Sequence, residues 1–148
     1  MTTYVTNPDT TYLNKAKFRP HDRQRLRVAA CEFNSANAVI AASSVMNMIT
    51  IPANSIVLGA TVDVKKAQAD TDIKLGMTAN DDYWSASIYT ATNGTTIEAT
   101  TVGTGGGQLY HTNAATNVTI TAITNEVNTA IVVVRAVYME LDAQTAAN

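Results

Sequence analysis

The run from Ala130 to Leu141 constrains the fold more than any other part of the chain. It reads Ala-Ile-Val-Val-Val-Arg-Ala-Val-Tyr-Met-Glu-Leu, and β-branched residues of this kind fit a pleated strand better than a helix. Successive side chains of a strand point to opposite faces, and both sets are apolar over most of this run. The pattern predicts a strand in the middle of a sheet, with both faces buried.

Period-two patterns recur upstream. Ile56–Lys65 alternates, which predicts one face made by Ile56, Leu58, Ala60, Val62 and Val64, and Ile73–Met77 alternates again. Val45–Ile51 ends at the turn Pro52-Ala-Asn54, and Asn93-Gly94 is a strong hairpin signal. Valine and isoleucine together occur 24 times and threonine 23 times, against only 6 leucines. This composition favours strands over helices. We predict an all-β chain of seven or eight strands, a β-sandwich or jelly-roll-like domain with an extended N-terminal arm.

The predicted arm is basic. Every odd position from 15 to 27 is basic or potentially basic, and Pro20 argues against a helix through the middle. In an extended segment these side chains lie on one edge. Residues 1–28 carry six basic and two acidic side chains, a net charge of +4, whereas residues 29–148 have a net charge of −6. The candidate contact residues of the arm are Lys15, Lys17, Arg19, Arg23, Arg25 and Arg27.

The charge division suggests a division of the chain. We assign residues 1–44 to the basic arm and its lead-in, residues 45–142 to the β-sandwich domain and residues 143–148 to a short tail. Residues 29–44 fit either a short helix or the place where the arm joins the sheet. The arm has three possible roles: to contact an acidic protein surface, to contact nucleic acid phosphates, or to remain a solvated tail. Only Phe18 interleaves the basic residues, which favours a protein surface.

Charged residues make up 15% of the chain, below the usual figure of about 25%. Such a chain is soluble through its threonine, serine and asparagine side chains, or it hides surface in an assembly. Cys31 is the only cysteine, so no intrachain disulfide is possible. The N-terminal residues lack the apolar stretch of a signal peptide, and no run of 18 apolar residues predicts a membrane span.

No catalytic or metal motif is apparent. The Gly103–Gly107 run lacks the Lys-Ser/Thr of a phosphate-binding loop and reads as a hairpin tip. His21, His111 and Cys31 do not form a spaced metal motif, and His111 reads as a surface residue. The paired aspartates at 70/72 and 81/82 lack EF-hand spacing and fit turns. We therefore predict no enzymatic activity, no cofactor and no metal.

Arg135 and Trp84 are candidate subunit-interface residues. An arginine in an otherwise apolar strand is predicted to be ion-paired or to lie at an interface, unless the strand is at a sheet edge and the side chain is solvated. Trp84, next to Tyr83, is predicted to be a core or interface aromatic, with a sugar-binding platform as the alternative.

The strand and turn pattern resembles that of the cement or decoration proteins of tailed-bacteriophage heads. The resemblance runs from the turn and strand at Ile51–Val64 through the short strand at Asp72–Gly76 to the closing strands at Val118–Ala122 and Ala130–Tyr138. It leaves the first 44 residues outside and contains no catalytic motif.

The resemblance implies a non-enzymatic virion protein, made in the host cytoplasm and bound to the outer surface of the capsid. There it would contact the major capsid protein, bridge neighbouring capsid subunits and form a homotrimer, with no membrane or nucleic acid partner expected. An arm of 28 residues spans roughly 90 Å when fully extended, enough to reach neighbouring subunits. A phage tail or baseplate component and a carbohydrate-binding β-sandwich module are the alternatives.

Overall fold

A computed structural model describes residues 2–5, 25–91, 96, 97, 105 and 109–141, with the backbone alone for residues 2–5, 25, 96 and 97. The described residues form two antiparallel sheets and no helix, so the predicted all-β fold is confirmed. Among them, accordingly, no helix is long and apolar enough to cross a membrane. The strands are β1 (Thr2–Val5), β2 (Arg25–Asn34), β3 (Val45–Ile51), β4 (Ser55–Lys66), β5 (Asp72–Met77), β6 (Asn80–Tyr89), β7 (Thr96–Ile97), β8 (Tyr110–Thr112), β9 (Thr116–Ala122) and β10 (Ile131–Glu140).

The first sheet has the order β1-β2-β10-β4-β7, and β8 also pairs with β4. Its central strand β10 is the strand with the strongest apolar pattern in the sequence. Along its whole length β10 pairs with β2, from Ile131 opposite Asn34 to Glu140 opposite Arg25, and with β4 on its other side. The predicted central position is therefore present. The prediction that both faces of the strand are buried is met on one face only, because the side chains of the other face remain half-exposed.

The second sheet has the order β3-β9-β5-β6 and packs on the inner face of the first. Alternate residues of β9, β5 and β10 supply fully buried side chains to the space between the sheets, including Ile120, Leu75 and Val134. This interior is the hydrophobic core of the described part of the chain. Two antiparallel sheets that pack face to face over one core form a β-sandwich.

Strand β2 lies within the first sheet, in a region that the sequence assigned to the arm and its lead-in. Cys31 and Phe33 of β2 are buried in the core, because every second residue of the strand points inward. The segment from residue 29 onward, for which a helix and a connection to the sheet were both open, thus begins as a strand. β1 pairs with the outer edge of β2, from Thr2 opposite Glu32 to Val5 opposite Ala29.

The side chain of Gln68 and the backbone of Asn54 shape two loops of the sandwich. The side-chain oxygen of Gln68 accepts hydrogen bonds from three consecutive backbone N–H groups, those of Asn128, Thr129 and Ala130, at 2.9, 2.9 and 3.2 Å. Its amide nitrogen donates to the Glu126 carbonyl at 2.7 Å. This one residue therefore holds the turn that leads into β10.

Between β3 and β4, where a turn was predicted, Asn54 adopts the left-handed conformation with a φ of 56°.

Candidate interaction surface

The first sheet carries a contiguous apolar surface on the side away from the core. We call this surface the outer patch. Leu26, Val28 and Leu58 are 61%, 45% and 39% exposed, which is unusual for large apolar side chains in strands. The remaining members of the patch are half-exposed. The outer patch consists of Leu26, Val28, Ile56, Leu58, Gly59, Val137 and Met139.

Strand register brings these side chains together. Val137 is paired with Val28 on one side and with Gly59 on the other, so the three residues form a row across three strands. Met139, two residues further along β10, forms a second row with Leu26 and Ile56. Cross-strand neighbours of this kind lie about 5 Å apart, so the side chains form a continuous surface.

At the other end of the same face the sheet carries an ion-paired cluster. The Asp63 carboxylate lies 2.8 Å from the Lys65 ammonium and 3.3 Å from the Arg135 guanidinium. The hydrogen bond from Lys65 is the main cause that holds the pKa of Asp63 below its ordinary value, with Arg135 adding to the effect and burial opposing it. The pairing expected for Arg135 is present, in a central rather than an edge strand. Its role at a subunit interface stays a prediction.

Arg27 is the one residue of the predicted basic edge whose side chain the structure describes. Its Nε lies 2.8 Å from an oxygen of Glu140, the residue two positions beyond its β10 partner Tyr138. The guanidinium is therefore engaged within the chain. Burial, followed by the charge of Glu140, raises the pKa of the neighbouring Tyr138 hydroxyl. Lys15, Lys17, Arg19 and Arg23 lie outside the described residues, and for Arg25 the structure describes the backbone only.

Trp84, the other interface candidate, belongs to the core of its own chain. Its side chain is 6% exposed, and its ring makes an edge-to-face contact with Tyr83 at a centroid distance of 4.8 Å. Tyr83 makes a second such contact with Tyr110, also at 4.8 Å. The core position matches one of the two predicted roles of Trp84. Burial of the ring leaves little of it for a sugar or for a neighbouring subunit.

The other candidate motifs have structural roles where the structure describes them. Gly105, from the glycine-rich run, donates its backbone N–H to the Tyr83 carbonyl at 3.0 Å and approaches the Tyr83 ring so closely that a β-carbon would overlap it. Asp72 accepts a hydrogen bond from Ser87, Asp81 pairs with Lys74, and His111 is exposed. In the described part of the chain no three potential metal ligands come together.

The outer patch was not among the residues singled out from the sequence. Its signal was nevertheless present, since Leu26 and Val28 alternate with Arg25 and Arg27 in the printed sequence. The basic residues drew attention to a charged edge, while the apolar residues between them form the exposed side of β2.

Comparison with solved structures places this fold among chains of phage capsids. The chain is similar to one in the capsid of Ralstonia phage GP4, with a TM-score of 0.62 and 12% identity over 88% of this chain and 94% of that one. It is also similar to a chain of the cyanophage Pam1 capsid asymmetric unit, with a TM-score of 0.58 and 19% identity over 86% of this chain and 96% of that one. At these identities the likeness concerns the fold. No protein-family model and no curated protein sequence matches the chain.

Proposed function

We propose that this chain is a structural protein of a phage virion, of the cement or decoration type. In this role it binds the outer surface of the capsid, contacts the major capsid protein and bridges neighbouring capsid subunits as a homotrimer. The observation that carries the proposal is the shared fold with chains from two phage capsids, which extends over nearly the full length of those chains. The role is structural rather than catalytic.

The surface of the sandwich supports a binding role. The outer patch is apolar and spans three strands, and contiguous surfaces of this kind mark protein contact sites. A protein that strengthens a shell by bridging its subunits acts through such surfaces and needs no reactive group.

The basic residues between positions 15 and 25 supply the proposed contact with an acidic capsid surface. The fold modifies how far they reach, because β1 and β2 anchor both ends of the segment at the same edge of the sheet. A 19-residue segment tied at both ends extends to at most about half its contour length, roughly 35 Å. The contact is therefore proposed with the subunit next to the sandwich, and the 90 Å span of a free arm does not apply.

Binding to purified capsids that lack this protein tests the proposal. Deletion of residues 1–28 would remove β1 and part of β2, so the informative variant replaces Lys15, Lys17, Arg19 and Arg23 by Gln. We expect this variant to bind at least ten-fold more weakly, and wild-type binding to weaken with added salt. Lys66→Gln, which removes an exposed charge from the end of β4, is the control and should bind as the wild type does.

The capsid role and the electrostatic contact would be contradicted by different results. Wild-type protein that does not bind the capsids, or that a map of the virion locates in the tail or baseplate, would overturn the capsid role. Equal binding by wild type and the four-residue variant would leave the capsid role in place and overturn the electrostatic contact.

A further inference from the structure

The outer patch lies beside both ends of the chain segment that carries the predicted basic residues. The chain leaves β1 after Val5 and re-enters the sheet at Arg25, the first residue of β2. In the register of these two strands, Leu26 and Val28 of the patch lie between the two positions. Residues 6–24 lie outside the described residues, but both ends of this segment are fixed next to the patch.

The basic residues give one border of the patch a positive charge. Residues 15–25, called here the basic segment, contain five lysine and arginine side chains against the one acidic side chain of Asp22, a net charge of +4. The residues of the patch itself are uncharged, and at its edge Arg27 and Glu140 pair with each other. The surface therefore combines an apolar centre with a basic border.

The outer patch is too small to form a stable contact alone. Its rows cross three strands that lie about 4.8 Å apart and extend along about four residues at 3.4 Å each, which gives on the order of 200 Å². Stable protein interfaces bury about 800 Å² on each partner. Such interfaces have an apolar centre surrounded by a polar rim. The patch has the size of such a centre, and the basic segment supplies part of a rim beside it.

Gly59 lets a partner approach the centre of the patch closely. It is paired with Val137, and a β-carbon added to it would meet no atom of the described residues within 4 Å. A longer side chain at this position therefore projects outward without a clash in the chain itself. It would hold a partner surface away from the rest of the patch.

We infer that the outer patch is the apolar centre of the capsid contact, occupied by the capsid subunit that the basic segment also contacts. The inference rests on the proposed function and adds the face of the sandwich that meets the capsid. The partner surface is apolar opposite the patch and acidic where it meets the basic segment. Because this contact joins two different proteins, it imposes no two-fold symmetry and is compatible with a homotrimer.

The charged residues at the other end of the sheet face lie outside this contact. Lys66 pairs with Ile131, six residues along β10 from Val137, which is about 20 Å at 3.4 Å per residue. This distance is more than twice the Debye length of about 8 Å at physiological ionic strength. The contact therefore does not depend on Lys66, and Lys66→Gln remains a valid control.

Capsid binding by uncharged variants of the patch tests the inference. Val28→Gln and Gly59→Gln alter the centre of the patch and leave the charge of the chain unchanged. We expect each variant to bind capsids at least ten-fold more weakly than the wild type. Val45→Gln is the matched control, because it replaces a valine of the second sheet that is 54% exposed, compared with 45% for Val28. It should bind as the wild type does.

The salt dependence of binding separates the patch from the basic segment. The glutamine variants of the patch keep every charge, so their binding should weaken with added salt as steeply as that of the wild type. The variant that replaces four basic residues of the segment keeps the patch and loses the charges. Its remaining binding should therefore depend little on salt.

Wild-type binding that both patch variants retain would overturn this inference and leave the capsid role in place. Wild-type protein that fails to bind capsids would overturn the capsid role and this inference with it. Thermal unfolding of each variant checks that weaker binding does not come from a loss of the fold. Sedimentation velocity of the free protein provides a further test, because self-association that Val28→Gln abolishes, with capsid binding unchanged, would assign the patch to a second copy instead.

Discussion

The two sheets of this sandwich differ on the sides that face away from the core. The first sheet carries exposed apolar side chains there, including Leu26, Val28 and Leu58. The second carries a mixture there: Lys74 is paired with Asp81, Val45 and Tyr89 are exposed, and the β9 threonines Thr119 and Thr121 are buried. Both sheets contribute apolar inner faces to the core. The first sheet differs in that its exposed apolar side chains form rows across three neighbouring strands.

Threonine occupies the outer side of the central strand β9 in the second sheet, where the hydroxyl groups of Thr119 and Thr121 are buried without a hydrogen-bond partner among the described residues. Thr119 and Thr121 alternate with the core residues Val118 and Ile120 along β9 and are themselves buried by their neighbours. Because threonine is β-branched, it favours the strand as valine does while it adds a hydroxyl group. Comparable positions of the first sheet carry valine and methionine instead.

The largest expected difference in the free energy of unfolding lies between substitutions on the inner and the outer side of strand β2. Phe33→Ala, in the core side of β2, should lower the free energy of unfolding by about 3–5 kcal/mol, because it removes a fully buried ring and leaves a cavity. Val28→Ala, on the outer side of the same strand, should cost less than about 1 kcal/mol in the dilute protein, because Val28 is already exposed. Denaturant unfolding measures both values. Equal losses would mean that the outer side is covered within the chain.

Alanine substitution of one glycine in each sheet compares the space available on the two outer faces. At Gly76 in the second sheet, a β-carbon would overlap the backbone of Asn80 and Asp81, so Gly76→Ala should destabilise the fold by about 1–3 kcal/mol. At Gly59 in the first sheet the space is open. Gly59→Ala should therefore be neutral or stabilise by up to about 1 kcal/mol, since alanine has less freedom in the unfolded chain. Thermal unfolding of dilute samples gives both differences, and a destabilised Gly59→Ala would contradict the open surface.

The smallest expected losses in the free energy of unfolding come from breaking one ion pair in each sheet. Asp63→Asn should cost about 1–2 kcal/mol at neutral pH, since it removes a largely buried carboxylate that binds two cations. Asp81→Asn, which breaks a more exposed pair, should cost at most about 0.5 kcal/mol.

The pH dependence gives a second measurement on the same variants. The folded-state pKa of Asp63 is lowered, so the unfolded chain binds its proton first as the pH falls. The stabilisation is thus complete above the ordinary value of 3.8 and is lost as the pH falls through the lower, folded-state pKa. Denaturant unfolding at a series of pH values should show the gap between wild type and Asp63→Asn closing in that acidic range. A gap that stays constant would mean that the Asp63 carboxylate does not provide the stabilisation.

The sequence predicted the parts of the fold that depend on local pattern. Strands β4 and β10 and the turn at Asn54 follow from side-chain period and turn chemistry. The predicted faces of β4 were wrong at its first residues, because a β-bulge at Leu58 turns Ile56 and Leu58 outward and Val57 inward. Strand β2 was harder to predict. Its basic residues alternate with Leu26 and Val28, and no large apolar residue lies on its inner side before Phe33. The pairing of β2 with β10, and hence the outer patch, depends on residues about 100 positions apart, which a local pattern cannot show. Trp84 shows the same limit, since the sequence left open whether it lies in the core or at a surface.

The central position of β10 also determines when this protein is able to fold. β10 is made last of the ten described strands, yet both β2 and β4 hydrogen-bond to it and not to each other. Until the ribosome releases it, each of these strands has an unpaired edge beside an apolar surface. Long-range pairing of this kind is slow, and open strand edges invite association with the wrong partner. The strand that completes the sheet therefore ends the period in which the nascent chain is most prone to aggregate.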